Sequence, residues 1–153
     1  MTRDLDGLPR PCIFCKIGRG EIDAHVVHQD EDLMAFLDIG PIRPGHVEII
    51  PRAHYPYFDD LPDPLAAKIM ALGQKIARVQ KQIYGVSRVA LMFTGGDVAH
   101  AHAHLVPMVK GDDVTSRRYI VEETVTYRAI PMPPPEDLAA TAADLRAGLM
   151  QVG

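Results

Sequence analysis

Long apolar runs are missing from this 153-residue chain. No stretch of ~18 consecutive apolar residues occurs, so no segment is expected to span a bilayer. Positive charge is also scarce: 16 Lys and Arg against 20 Asp and Glu leave a net charge of −4, and no basic stripe alternates with aromatics. Backbone phosphate binding needs a positive face, so long nucleic acid is not an expected partner. A small phosphorylated ligand stays open, because a few local donors can outweigh a mildly acidic whole. The opening residues MTRDLDGLPRP carry two acids and no apolar segment, so no secretory signal is expected and the cytoplasm is the expected location. Cysteine is limited to Cys12 and Cys15. A disulfide across that short gap is improbable in a reducing compartment, and nothing nearby resembles the βαβ setting of a redox pair. Internal repeats are absent.

What is present fits one globular domain over residues 1–153, with 1–11 a flexible arm and about 109–153 a C-terminal extension. Apolar residues make up 47% of the chain and charged residues 24%, ordinary values for a chain able to close a core. Residues 16–20 read as a short turn, and residues 26–29 and 33–37 as two short strands around the acidic turn Asp30-Glu31-Asp32. A Pro- and Gly-rich loop follows, then a third strand over 46–50. Leu65, Ile69, Leu72, Ile76, Val79 and Ile83 step by fours and threes, which predicts a helix over 64–84. Asp63 suits its N-cap, Pro64 its first position and Gly85 its C-terminal stop. Strands are expected at 88–93 and 100–108, extended chain at 119–127 and a weaker helix at 136–150. Strands outnumber helices without alternating with them. The expected class is therefore α+β, a largely antiparallel five-stranded sheet with one main helix and a C-terminal helical extension.

Three of the seven histidines, His100, His102 and His104, alternate with Ala101 and Ala103. On a strand, residues two apart share a face, so the three imidazoles should point one way, ~7 Å apart per step. The alanines would leave the other face open to close helix packing. Two chemistries compete: a His₃ zinc site with an open position, or a nucleophilic imidazole whose neighbours orient it.

The segment His100-Ala101-His102-Ala103-His104-Leu105-Val106 resembles the signature of the histidine-triad (HIT) family. Cys12-Ile13-Phe14-Cys15-Lys16-Ile17, Ala35-Phe36-Leu37-Asp38-Ile39, Pro44-Gly45-His46 and Ile50-Pro51-Arg52-Ala53-His54 resemble its Hint branch in order and spacing. His104 separates the chain from the nucleotidyl-transferase branch, which carries Gln there. The resemblance implies an HIT-like fold and a nucleotide hydrolase. His102 would attack the α-phosphorus of a purine nucleotide such as AMP in conjugated form, a phosphoramidate or dinucleoside polyphosphate. Water would then hydrolyse the nucleotidyl-histidine. By the same resemblance His104 and His100 hold phosphate oxygens and the tautomer of His102, and His46 supports them. Asp38 binds the ribose hydroxyls, and Ile13, Phe14, Ile17, Phe36 and Ile39 enclose the base. Asp97 occupies a position that touches phosphate. A homodimer is implied as well, with Ala66, Met70, Gly73 and Ala77 as a second apolar edge of the main helix for the partner. The competing function is a zinc-stabilised nucleotide-binding or adaptor protein with weak or no catalysis.

Some family members complete a zinc site with two cysteines and two histidines, which implies Cys12, Cys15, His54 and His100 as ligands here. His25 and His28 have no such partners and are expected at the surface. The chain departs from the family at three places. Gly95-Gly96-Asp97 replaces a Gly-Gln-Ser or Gly-Gln-Thr segment, Glu48 replaces an apolar residue after His46, and the loop before the triad is shorter. The first two changes would favour amine leaving groups over polyphosphates.

Overall fold

A computed structural model describes residues 12–111 and 132–152. The elements are α1 (Ile13–Gly18), β1 (Val26–Gln29), β2 (Leu33–Leu37), β3 (Val47–Pro51), a 3₁₀ turn (Phe58–Asp60), α2 (Asp63–Tyr84), β4 (Arg88–Met92), β5 (Ala103–Met108) and α3 (Pro135–Leu149). The strands form one antiparallel sheet in the order β1-β2-β3-β5-β4. This is the expected α+β architecture. The arm at 1–11 and the extended segment expected at 119–127 lie outside the described residues.

Period-two alternation divides the strands between two faces. Leu33, Ala35, Leu37, Val47, Ile49, Ala103 and Leu105 turn to the helix side, where they pack with Ile69, Leu72, Ile76 and Val79 of α2. Met34, Phe36 and Ile50 turn to the opposite side and pack with Phe14 and Ile17 of α1. Both faces are covered, which is why β2 and β3 are buried along their whole length.

The main helix begins one residue earlier than expected. Pro62 takes the cap position through its carbonyl, which accepts from Leu65 and Ala66, and Asp63 falls in the first turn, where its charge suits the helix dipole. Gly85 closes the helix at φ 64°. The stripe is shifted as well: Ile83 is exposed, while Gln80 is buried. Its Nε2 donates to the carbonyls of Gly45 (2.7 Å) and Leu105 (3.1 Å). One polar side chain thus ties α2 to the residue before His46 and to the residue after His104. The C-terminal helix is part of the main core, for Leu138, Ala142 and Leu145 join the same cluster. It lies against α2, β1 and β2.

Two local expectations are corrected. The segment after Cys15, expected as a turn, is helical from Ile13 to Gly18. The fifth strand starts at Ala103 rather than at residue 100. Before it, the N–H groups of His100 and Ala101 bond to Val98 and Tyr55 carbonyls instead of a sheet neighbour.

Candidate active site and metal cluster

His104 and Glu48 are Cα partners across β3 and β5, and Phe36 is the partner of Glu48 on β2. Strand alternation puts all three on the face turned away from α2, with His46 just ahead of β3. The alanines between the histidines are buried in the helix-side core, as expected. The three imidazoles do not form one evenly spaced row. His102 and His104 have ring centroids 4.8 Å apart, whereas His100 turns to His54, at 5.1 Å. The irregular backbone ahead of Ala103 permits that turn. A single His₃ metal site is therefore not formed.

Hydrogen bonds fix the tautomers. The Nδ1 of His102 lies 2.7 Å from the His100 carbonyl, which can only accept, so Nδ1 carries the proton and Nε2 keeps a lone pair. At His46, Nδ1 accepts the Ile42 N–H at 3.2 Å, leaving the proton on Nε2. That proton points to His104 Nδ1 at 2.9 Å, so His104 carries its own proton on Nε2. Burial lowers the pKa of His46 and, with help from His102 and His46, pushes His104 down to about 4. Both are neutral rings at pH 7. His100 contributes its carbonyl to His102; its own ring is committed elsewhere.

Asp38 is partly exposed beside this row. Its Oδ1 accepts the Gly40 N–H at 2.7 Å, and its Oδ2 lies 3.7 Å from His46 Nδ1. Of the five apolar residues expected around a base, Phe14, Ile17 and Phe36 form a buried cluster. Phe14 meets Phe36 edge-on at 5.7 Å and His102 at 5.0 Å. Ile13 and Ile39 are open to solvent, 46% and 59% exposed. Large apolar side chains left open around a polar row are surfaces on which a planar ligand can stack.

The second constellation is Cys12, Cys15, His54 and His100, with four ligand atoms mutually within 4.8 Å. His100 Nδ1 lies 3.4 Å from Cys12 Sγ, 3.5 Å from Cys15 Sγ and 3.3 Å from His54 Nδ1, and Cys15 Sγ lies 3.3 Å from His54 Nδ1. Donors around one tetrahedral ion stand about 3.3–3.8 Å apart, so the four fit such an ion. The His100 ring is also turned correctly. Its Nε2 donates to the Pro51 carbonyl at 2.8 Å, which frees the Nδ1 lone pair for the cluster. Burial and the neighbouring Cys12 raise the Cys15 thiol to about 11, so that thiol keeps its proton until a cation displaces it.

A profile of the HIT domain matches residues 19–111, more than half of the chain. The chain belongs to the HIT family. An HIT-like protein of Methanocaldococcus jannaschii is 39% identical over 105 residues, covering 66% of this chain and 81% of that one. An adenosine 5′-monophosphoramidase of Saccharomyces cerevisiae is 35% identical over 101 residues, 65% of this chain and 64% of its own length. Among solved structures, a Zn-bound histidine triad family protein of Mycobacterium smegmatis superposes with a TM-score of 0.71 at 29% identity, covering 92% of this chain and 94% of that one.

Within this HIT fold, several neighbours of the triad were not evident from the sequence. A cleft beside His102 is lined by Tyr57, Phe58, Asp59, Phe93, Thr94 and Gly95. Phe58 and Phe93 have ring centroids 5.8 Å apart. The signal was the dense Tyr55-Pro56-Tyr57-Phe58 run in a chain with only 6% aromatics. The carboxylate lining this cleft is Asp59. Asp97 is exposed on the adjoining loop and is not among the lining residues. Glu48 lies 3.6 Å from His104, with a carboxyl oxygen within 4.8 Å of one of Asp38. His28 sits near the surface, 3.4 Å from Asp30, and His25 is partly exposed.

Proposed function

We propose that this HIT protein hydrolyses a purine nucleotide conjugate, with His102 as nucleophile. The observation that carries the reading is the bond from His102 Nδ1–H to the His100 carbonyl. It leaves Nε2 as an unprotonated lone pair, held in one orientation, as a nucleophilic imidazole requires. Attack by Nε2 on the α-phosphorus forms a P–N bond and breaks the bond to the leaving group. Water then cleaves the P–N bond, returns His102 and releases the nucleoside monophosphate. The Nε2–H of His104 serves as a donor to a phosphate oxygen, and His46 holds that tautomer by the N–H···N bond between them. Asp38 takes the ribose diol, since a carboxylate can accept from both hydroxyls. Ile13 and Ile39 supply the exposed apolar surface for the base, backed by Phe14, Ile17 and Phe36.

Zinc is the metal that suits Cys12, Cys15, His54 and His100, because two thiolates and two imidazoles match its structural sites. Bound there, it would supply a rigid link between α1 and the start of the triad, and the carbonyl that orients His102 belongs to one of its ligands. The phosphoramidase named among the relatives supports an amine as leaving group, and Asp59 in the aromatic cleft would attract a cationic one. Asp97, exposed on the adjoining loop, is a second carboxylate that would act in the same direction.

Mass spectrometry after rapid mixing with an adenosine phosphoramidate tests the reading. A nucleotidyl adduct on His102 is the expected result. Turnover with no adduct at any time point, or an adduct on another histidine, would overturn it. Elemental analysis of chelator-free protein tests the metal, with one zinc per chain expected and less than half that amount in Cys15→Ser.

A further inference from the structure

Glu48 is a carboxyl group that neither the reaction above nor the zinc cluster uses. It is only 7% exposed. It lies between Phe36 and His104 across the sheet, with Oε1 3.6 Å from His104 Nδ1 and a carboxyl oxygen within 4.8 Å of one of Asp38. Two carboxyl groups this close, one of them buried, are held together by one proton, because two carboxylates would repel and neither has anything to donate. The proton belongs on the more buried partner. Asp38 is partly exposed and already accepts the Gly40 N–H at 2.7 Å, a bond that favours its charged form.

We propose that Glu48 is a positioning residue: as a neutral carboxylic acid it donates its O–H to Asp38 and so holds that carboxylate beside His104 in the orientation that receives a ribose diol. The inference deepens the nucleotide reading above and rests on it. A divalent ion is the competing occupant, since Asp38, His46, Glu48 and His104 bring ligand atoms within 4.8 Å of one another. The imidazoles argue against it. The Nδ1 lone pair of His46 is taken by the Ile42 N–H and that of His104 by His46 Nε2–H. An ion would have to break both bonds.

The environment sets the direction of the pH dependence. Burial first, and then Asp38, push Glu48 up to about 8. The groups facing it are Asp38 beyond β2, His46 ahead of β3 and His104 on β5. Both imidazoles are held neutral by burial, so neither offsets a second negative charge. Once Glu48 ionises, the hydrogen bond to Asp38 is replaced by repulsion. Affinity for a ribonucleotide is therefore present at pH 7 and lost as pH rises through about 8. If only the protonated form binds, the apparent Kd at pH 9 is about tenfold that at pH 7.

Calorimetric titration with AMP, whose phosphate is already dianionic at pH 7, tests this in wild type, Glu48→Gln and Glu48→Leu at pH 7 and 9. Wild type should weaken about tenfold. Glu48→Gln keeps a donor that cannot titrate, so it should match wild type at pH 7 and stay level at pH 9. Glu48→Leu should bind weakly at both. With 2′,3′-dideoxy-AMP, which lacks the diol, the wild-type pH dependence should vanish. Equal affinity of wild type at the two pH values, or a Glu48→Gln variant as pH-sensitive as wild type, overturns the inference while leaving the nucleotide reading intact. Failure of every form to bind AMP refutes that reading and this inference with it.

Discussion

At the scale of single residues, burial decides which protonation state each group can use. His102 differs from its neighbours in having one nitrogen bonded to a carbonyl and the other without a hydrogen-bond partner among the described residues. His102→Ala should therefore lower kcat by several powers of ten, as loss of a covalent nucleophile does. Its zinc content should not change, because His102 is not among the four cluster residues. Steady-state kinetics with an adenosine phosphoramidate, alongside metal analysis, check both halves. Stability has its own pH signature. Glu48 is raised from 4.5 to about 8, so its contribution is fully present below 4.5 and is lost as pH climbs to about 8. His104 is lowered from 6.5 to about 4, so its contribution is present above 6.5 and lost as pH falls to about 4. The two slopes oppose each other between 4.5 and 6.5, and from 6.5 to 8 the Glu48 slope stands without that opposition. Glu48→Gln should raise unfolding free energy at pH 8 by on the order of 3 kcal/mol and flatten this upper window. Urea melts at pH 6.5 and 8 measure it, and an unchanged slope would show that Glu48 carries no raised pKa.

At the scale of elements, the legible parts of the sequence were those with a strong period. The β1 and β2 bounds and the α2 stripe follow from apolar spacing alone, and the motif residues locate most of the site. What escaped was decided by tertiary contact. Alternation in His100-Ala101-His102-Ala103-His104 looks like continuous strand, but the His100 and Ala101 N–H groups bond to the Val98 and Tyr55 carbonyls, which leaves the first residues outside the ladder and lets the His100 ring face Cys12, Cys15 and His54. Gln80 interrupts an apolar stripe and gave no sign that it would bridge two carbonyls. α1 has only six residues, too few to be helical by propensity, so the sequence after Cys15 reads as a turn. Its stability comes from Phe14 and Ile17 in the cluster beneath it, and from any metal held by Cys12 and Cys15. Chelation should consequently speed amide exchange in Ile13–Gly18 while leaving α2 protected, which hydrogen-exchange mass spectrometry resolves. A second local test concerns the turn before His46. Gly45 adopts φ 85°, and a Cβ there would lie 2.3 Å from the Tyr84 ring. Left-handed strain and overpacking together predict that Gly45→Ala costs about 2–4 kcal/mol. Tyr84→Ala in the same chain should return the steric part only, a split that denaturation of the single and double variants would show.

At the scale of the whole molecule, the two edges of the sheet differ. β1 is flanked by α3, and Arg146 donates to the Val26 carbonyl at 2.5 Å. β4, at the other end, has a sheet neighbour on one side only among the described residues. An edge strand presents a row of backbone donors and acceptors that a second copy can pair with, and a two-fold axis there would join two five-stranded sheets into one. The helix beside it also has an outer side to offer. Met70 is 51% exposed and Ala66 is exposed, whereas Gly73 and Ala77, expected on the same apolar edge, face the core instead: a Cβ on Gly73 would lie 2.7 Å from Leu91. The contact available on α2 is thus narrower than the sequence suggests, and strand pairing would have to supply much of the interface. The expected state is a homodimer, and light scattering at micromolar concentration should return twice the chain mass of 16.8 kDa. Met70→Glu places a charge on the proposed helix contact without entering the core, so it should shift the protein toward monomer while leaving the far-ultraviolet spectrum unchanged. A monomer mass for wild type would reject the dimer, and a Met70→Glu variant that stays dimeric would remove α2 from the interface.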